Sequence, residues 1–123
     1  MFSFKRKIGN QAEQLALDHL IANGLSLIEQ NYLTRFGEID IIMIDQLKQV
    51  LVFVEVRYRK NTSFGSPTDT IDQTKQNKLI RTAGHYLQQH DQYEDFICRF
   101  DVVGLESDLK YPKITWIKDA FEV

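Results

Sequence analysis

Apolar residues follow the helical spacing in two parts of the chain and the strand spacing in most of the rest. The helical spacing predicts helices over residues 11–22 and 72–88. Asn10 is the expected N-cap of the first helix, and Asn23-Gly24 is its expected left-handed end. The positions predicted to be buried are Ala12, Leu15, Ala16, His19 and Leu20 in the first helix, and Leu79, Ile80, Ala83 and Leu87 in the second.

Five runs of strand length account for most of the remaining apolar residues. They cover residues 25–32, 38–45, 50–57, 96–104 and 114–117, with a turn at 34–37 and a loop at 61–67. The second and third runs are separated by four residues, which predicts a hairpin. Both runs are apolar on both faces, as in a sheet covered by helices. The predicted fold is α/β, with a mixed central sheet of about four or five strands flanked by helices.

Length and composition limit the class of protein. The 123 residues, 43% of them hydrophobic, are expected to form a single domain over residues 1–123. The apolar runs are far shorter than the roughly 20 residues that span a bilayer. No apolar segment follows the basic N-terminus, and Cys98 is the one cysteine. We therefore expect a cytoplasmic protein with no membrane partner.

The net charge of −2 excludes a general nucleic-acid coat protein, but the charges are unevenly distributed. Basic residues cluster at 5–7, 57–60 and 75–81, whereas acidic residues gather between 91 and 108. One face of the molecule could therefore be basic while another is acidic.

The hairpin brings acidic residues together. If Asp45 pairs with Val50 across the loop, Asp40 lies opposite Glu55, and Glu38 lies opposite Arg57. All four side chains then project from one face. Opposed Cβ atoms are about 4.5–5.5 Å apart, where like charges are destabilising. The two carboxylates therefore need a shared proton, a cationic neighbour or a bound metal.

Two interpretations fit this spacing. Arg57, Arg59 or Lys60 would neutralise the acids in a structural salt-bridge lattice, or a hard divalent cation such as Mg²⁺ would bind their oxygens. A one-residue slip in register would move Asp40 away from Glu55. The spacing alone does not decide between them.

The segments Gly37-Glu38-Ile39-Asp40 and Phe53-Val54-Glu55-Val56-Arg57 resemble the core motif of the restriction-endonuclease-like superfamily, written PD-(D/E)XK. Nearly the whole chain resembles the bacterial YraN-like family of small predicted endonucleases, which are related to archaeal Holliday junction resolvases. The other matching segments are Gly9 to Ala16 with Glu13, Phe64-Gly65-Ser66-Pro67, Lys75-Gln76, Tyr86-Leu87, Arg99 to Val103 and Ala120-Phe121.

This resemblance implies metal-dependent hydrolysis of phosphodiester bonds with Mg²⁺ or Mn²⁺, by direct in-line attack of water on phosphorus. By position, Asp40 and Glu55 would be metal ligands, and the carbonyl of Val56 would be a third. Glu13 would be an accessory acid that positions water, with a solvated helix acid as the alternative. Glu38 is expected to orient Arg57 or to close the turn rather than to bind metal.

Arg57 departs from the motif, which has lysine at that position. Arginine stays charged and cannot act as a base, although it can stabilise a phosphate. Lys75 or Lys78 could supply the missing ammonium group. The alternatives to an endonuclease are a catalytically inactive nuclease-fold protein that binds nucleic acid, and an interaction module in which the acids are structural.

Basic residues around this face are the predicted contacts to nucleic acid, DNA rather than RNA. Such phosphate contacts give salt-sensitive binding that depends little on sequence. By analogy with relatives, the substrate would be branched DNA or a recombination intermediate. A homodimer would suit a cut in both strands, and a solvated helix face is the alternative interpretation of the helical cations. The predicted contacts are Arg59, Lys60, Lys75, Lys78 and Arg81, with His85 beside them and a mobile Lys5, Arg6 and Lys7.

Overall fold

The chain folds into one five-stranded sheet with a helix against each face. The computed structural model describes residues 4–63, 65–69 and 71–122, and of residues 4–7 it describes the backbone alone. The elements are α1 (Phe4–Ala22), β1 (Ser26–Thr34), β2 (Gly37–Asp45), β3 (Val50–Arg59), α2 (Gln73–Gln88), a 3₁₀ turn (Asp91–Tyr93), β4 (Ile97–Glu106) and β5 (Lys113–Phe121).

The strands lie in sequence order across the sheet. β1, β2 and β3 form an antiparallel meander, β4 runs parallel to β3, and β5 is antiparallel to β4. The parallel pair needs a crossover connection, and α2 supplies it. The α/β fold with a mixed central sheet flanked by helices is confirmed, with five strands.

Each helix covers one face of the hairpin formed by β2 and β3. On the α1 face, Ala16 and Leu20 pack in one buried cluster with Met43 and Val52. On the α2 face a second cluster joins Leu79, Ala83 and Tyr86 to Ile42 and Phe53. The two central strands are apolar on both faces because both faces are covered, as their composition predicted.

The N-terminal boundary of α1 is a correction. The helix begins at Phe4, so Asn10 is an exposed residue inside it rather than its N-cap. An exposed asparagine costs a helix only about 0.7 kcal/mol relative to alanine, too little to set a boundary. The backbone of Lys5, Arg6 and Lys7 is helical rather than a mobile arm, and their expected contacts lie outside the described side chains.

The predicted end of α1 and start of α2 are both confirmed. Gly24 has φ 99° and donates its N–H to the carbonyl of Ile21, which is the left-handed ending expected there. Asp72 caps α2, since its carboxylate accepts a hydrogen bond from the amide of Lys75 at 2.8 Å.

The buried stripe of α2 differs from the predicted one. Thr82 and Tyr86 are buried, whereas Ile80 and Leu87 are only half-buried. The Thr82 hydroxyl can be buried because it donates a hydrogen bond to the carbonyl of Lys78. Tyr86 packs edge-on against Phe53.

Other expectations concern single residues and short segments. His19, predicted to be buried, is only half-buried and forms a T-shaped pair with the Trp116 ring, and Cys98 is a half-buried free thiol. The loop over residues 61–67 is confirmed where it is described, and Phe64 lies outside the described residues. Neither helix, over its described residues, is long and apolar enough to cross a membrane.

Candidate functional site

The hairpin register is the one the sequence predicted. β2 and β3 pair from Asp45–Val50 to Ile41–Val54, which excludes a one-residue slip. The last pair of this ladder is Ile41–Val54, and Asp40 is the next residue of β2 beyond it. Asp40 Oδ2 accepts a hydrogen bond from the Val56 amide at 2.8 Å. The Glu55 carboxylate lies close enough to Asp40 to raise the pKa of that carboxyl group. The two acids therefore meet where β2 and β3 separate.

Asn31 marks an irregularity in β1 opposite this point. It has φ 52°, in the left-handed region, between the regular pairs Gln30–Ile41 and Tyr32–Ile39. Sequence analysis did not identify Asn31 as a site residue. Asparagine is depleted in strands and tolerates left-handed backbone, so an asparagine inside a strand-like run was the available signal.

The Asn31 amide joins two acids from different elements. Its Nδ2 donates to Glu13 Oε1 of α1 at 2.9 Å and to Glu38 Oε1 of β2 at 3.0 Å. Glu13, Glu38 and Asp40 each place a carboxylate oxygen so that the three lie within 4.8 Å of one another. With Glu55, four acidic side chains from three elements share one site, which we call the acid cluster.

The position of Glu38 is a second correction. It was expected to orient Arg57 or to close the turn, yet it accepts the Asn31 amide and joins the acid cluster. Between Gly37 and Ile39, β2 pairs with β1, so Glu38 lies opposite Leu33. Arg57 instead donates from Nη1 to the Asp69 carbonyl at 2.7 Å.

Burial and repulsion keep a proton on Asp40. Burial, the largest cause, and the neighbouring charges of Glu55 and Glu13 together raise the pKa of Asp40 to about 8, although the hydrogen bond from the Val56 amide lowers it. The pKa of Glu13 is also raised, chiefly by burial. The ionised acid cluster would therefore carry more negative charge than the Lys75 ammonium beside Glu55 can balance. Its donors are carboxylate oxygens, which fit a hard divalent cation.

One ammonium group reaches the acid cluster from α2. Lys75 Nζ lies 3.4 Å from Glu55 Oε2, and the Lys75 side chain is still 44% exposed. Lys75 and Lys78 were the two candidates to supply the ammonium group of the motif's missing lysine. Of these two, Lys75 is the one found beside an acid. Lys78 lies one turn further along α2, against Gly37 at the start of β2.

An open cavity leads from solvent to Glu55 and Lys75. Its volume is about 280 Å³, and Glu55, Arg57, Ile71, Asp72 and Lys75 line it. Two cationic side chains, Lys75 and Arg57, line the cavity, and Lys75 contacts the Glu55 carboxylate. It has the charges needed to receive a phosphate group next to the acids.

The remaining predicted residues lie at varying distances from the acid cluster. Val56 contacts Asp40 through its N–H, and its carbonyl as a ligand stays a prediction. Arg59 ends β3 opposite Glu106, about 13 Å along the strand from Glu55, and Lys60 follows it. Arg81 lies on α2, with its guanidinium carbon 4.3 Å from the centre of the Phe36 ring.

The comparison with protein families matches a stretch that contains all four acids, Lys75 and Arg81. The model of "Uncharacterised protein family UPF0102" matches residues 12–105. The chain belongs to the UPF0102 family. This is the YraN-like family that the motifs indicated, so the resemblance is confirmed.

Relatives of similar length support this membership. A UPF0102 protein from Coxiella burnetii is 49% identical over 100% of this chain and 98% of its own. One from Psychromonas ingrahamii is 50% identical over 93% and 88%. One from Nitrosococcus oceani is 49% identical over 96% and 94%.

One solved structure has a weak similarity, "The structure of Pyrococcus Furiosus SfsA in complex with Ca2+". The TM-score is 0.39 at 12% identity, over 97% of the UPF0102 chain and 65% of the other. A similarity of this size supports no statement about the UPF0102 chain.

Proposed function

We propose that this UPF0102 protein is a divalent-metal-dependent endonuclease that hydrolyses phosphodiester bonds in DNA. One observation carries the proposal: Asp40 and Glu55 meet where two central strands separate, next to Glu13 and Glu38, in surroundings that raise the pKa of Asp40 to about 8. In a structural salt-bridge lattice Arg57 would contact the acids, but it donates to a loop carbonyl, and the ion pair found at the site among the described residues joins Lys75 to Glu55.

Mg²⁺ or Mn²⁺ is the proposed cofactor, held by Asp40, Glu55 and the carbonyl of Val56. Such an ion would stabilise the charge that builds on the phosphate oxygens and lower the pKa of a bound water. The donor set supports an oxygen-preferring ion, since carboxylates supply the charge. Glu38 also lies next to the proposed metal site, in addition to the two carboxylate ligands that the motif implies.

The protein groups around the cavity have separate roles in this proposal. Glu13, fixed by the Asn31 amide, accepts a hydrogen bond from the attacking water and orients it. Lys75 holds its ammonium group beside Glu55, where it can contact that water or a phosphate oxygen. Arg57 remains charged and contributes a guanidinium to the phosphate. No protein nucleophile is required.

A catalytically inactive nuclease-fold protein that binds nucleic acid is the second candidate. Arg57 in the motif's lysine position favours it, and it requires DNA binding with no cleavage under any metal. The ammonium of Lys75, 3.4 Å from Glu55, favours the active enzyme. For either candidate we propose a cytoplasmic location and DNA that is branched or undergoing recombination, with a homodimer where both strands are cut.

A cleavage assay on linear, flapped and four-way DNA with Mg²⁺ or Mn²⁺ tests the proposal. Asp40→Asn and Glu55→Gln should each lose about a hundredfold or more in rate, because each removes charge from the proposed ligands. Asp18→Asn is the matched control, since Asp18 is an exposed acid on α1. Cleavage that persists in both site variants at the wild-type rate would refute the site. Binding without cleavage in every metal would favour the second candidate.

A further inference from the structure

The turn between β1 and β2 carries an aromatic ring with two arginines on it. The guanidinium carbons of Arg35 and Arg81 lie 4.9 and 4.3 Å from the centre of the Phe36 ring. Arg35 and Phe36 belong to the turn, whereas Arg81 comes from α2. We call these three residues the Phe36 cluster.

The local sequence holds the turn rigidly against α2. The Thr34 hydroxyl accepts a hydrogen bond from the Phe36 amide and donates one to the Gly37 carbonyl. Gly37 has φ 154°, and a Cβ there would lie 3.3 Å from the Thr82 hydroxyl. The glycine therefore permits the close approach that brings Phe36 to Arg81.

The two guanidinium groups are not neutralised within the described residues. The ion pairs found there are Lys75–Glu55 and Arg99–Asp101, and neither includes Arg35 or Arg81. Both arginines are exposed. Two like charges held near one ring repel each other, so the arrangement favours an anion that contacts both.

A groove beside the ring offers room for such an anion. Its volume is about 300 Å³, and Arg35, Phe36, Arg81, Gly84, His85 and Gln88 line it. The His85 ring is fixed at its Nδ1 by the hydroxyl of Tyr32 at 2.7 Å. Side chains with restricted positions lose less freedom on binding than free side chains do.

α2 connects this groove to the acid cluster. Lys75 contacts Glu55, Lys78 follows after about one turn, and Arg81 after about two. Six residues of helix span about 9 Å, and a strand of B-form DNA advances about 3.4 Å per phosphate along its axis. With α2 lying along the axis of the duplex, Arg81 would be two to three phosphates from the acid cluster.

We propose that the Phe36 cluster binds the phosphodiester backbone of the substrate strand, two to three nucleotides from the bond that is cut. This inference rests on the proposed endonuclease function and adds a binding subsite to it. The acid cluster repels a polyanion, so cations at a fixed distance from it are needed to hold the strand in place. Guanidinium groups suit this purpose because they bind phosphate oxygens in a bidentate manner.

Binding measured in EDTA tests the subsite without cleavage. Fluorescence anisotropy with labelled duplex and flapped DNA should show an affinity at least tenfold lower for the double variant Arg35→Gln/Arg81→Gln. The plot of log affinity against log salt should flatten by about 0.7–0.9 for each lost phosphate contact. Lys48→Gln is the matched control, since Lys48 is an exposed cation in the β2–β3 loop, and it should bind as wild type.

A second variant asks whether the ring positions the cations. Phe36→Leu keeps both charges and should still weaken binding, with its melting temperature recorded to verify folding. Unchanged affinity and salt slope in the double arginine variant would refute the subsite, as would wild-type protein that does not bind DNA. An acidic peptide such as polyglutamate, if it bound as tightly as DNA and depended equally on both arginines, would also refute it.

The outcomes separate this inference from the endonuclease proposal. If the arginine variants lose DNA binding but wild type cleaves no substrate with any metal, the Phe36 cluster stands as a phosphate-binding site, without the proposed spacing from a cut bond, and the endonuclease proposal fails. If wild type cleaves DNA and the arginine variants bind it as wild type does, the subsite fails and the endonuclease proposal stands.

Discussion

At the scale of single residues, Asp40 is the acid of the site whose pKa is most strongly shifted. Its ordinary pKa is 3.8, and burial together with nearby acids raises it to about 8. A carboxyl group in that state favours the fold when protonated and opposes it when ionised. Between about pH 4 and pH 8, Asp40 therefore keeps a proton in the metal-free folded protein that it has released in the unfolded chain.

The first prediction concerns stability against pH in EDTA. Because the folded pKa of Asp40 exceeds the unfolded one, its contribution is fully present below about pH 4 and is lost as the pH rises through about 8. Asp40→Asn keeps an acceptor for the Val56 amide and removes this loss. In urea unfolding, the free energy of unfolding of the variant relative to that of wild type should increase by a few kcal/mol between pH 5 and pH 8. An equal difference at both pH values would contradict the assigned pKa.

Asn31 is the residue that joins α1 to β2 at the site. The second prediction compares two replacements that tolerate its φ of 52°. Asn31→Gly removes the amide that holds Glu13 and Glu38, so the cleavage rate should fall about tenfold while the melting temperature changes little. Asn31→Asp adds a fifth acid and should lower the metal-free melting temperature as well. Unaltered cleavage by both variants would show that Asn31 does not position the acids.

The third prediction concerns the ammonium of Lys75. Lys75→Gln removes the cation beside Glu55 and should slow single-turnover cleavage about a hundredfold. Adding Arg57→Lys to that variant returns a lysine at the motif position, and part of the rate should recover. Wild-type cleavage by Lys75→Gln alone would show that the ammonium of Lys75 does not act in the reaction.

At the scale of elements, the loop before α2 links β4 to the site. Gly104 of β4 faces this loop, where a Cβ would lie 2.6 Å from the Thr68 side chain and 3.2 Å from Pro67. The same loop provides the Asp69 carbonyl that receives Arg57. Packing on β4 thus affects a residue of the candidate active site.

The fourth prediction follows from this close approach. Gly104→Ala should destabilise the protein by about 1–3 kcal/mol, because the loop must move to admit the methyl group. Gly84→Ala is the matched control, since a Cβ at this helical position meets nothing within 4 Å. It should stabilise α2 by up to about 1 kcal/mol. Chemical denaturation measures both, and equal effects of the two changes would contradict the packing argument.

At the scale of the whole molecule, a net charge of −2 conceals an uneven distribution. The acid cluster lies between the two helices, and the cations of α2 begin beside it and continue to the Phe36 cluster. This arrangement brings a site for a divalent cation next to a surface for a polyanion. Neither property follows from overall composition.

The fifth prediction concerns metal and global stability. An ion that binds only the folded protein adds about 2.7 kcal/mol at a hundred times its dissociation constant. Mn²⁺ should therefore raise the melting temperature of wild type, and EDTA should reverse the rise. Asp40→Asn should show little of this effect, whereas Asp18→Asn should match wild type. Equal stabilisation of Asp40→Asn would place the bound ion elsewhere.

Pattern and turn length were sufficient to predict the central hairpin. The Ile- and Val-rich runs and the four-residue connection set the register that brings Asp40 to Glu55. The start of α2 at Asp72 was also predicted correctly, because a helix N-cap depends on residues that are close in the sequence. The same reasoning failed at Asn10, because asparagine costs little at an exposed position inside a helix.

The sequence by itself determined which segments are buried, since burial follows the apolar runs and their spacing. It also determined which two acids meet, since the short loop between β2 and β3 sets the pairing of these strands. Only the tertiary structure brought Asn31 to Glu13 and Glu38, Lys75 to Glu55, and Phe36 to Arg81. Most of these partners are far apart in the chain. Their contacts depend on a left-handed residue within β1 and on how the α2 crossover packs against the sheet, and neither has a periodic signature.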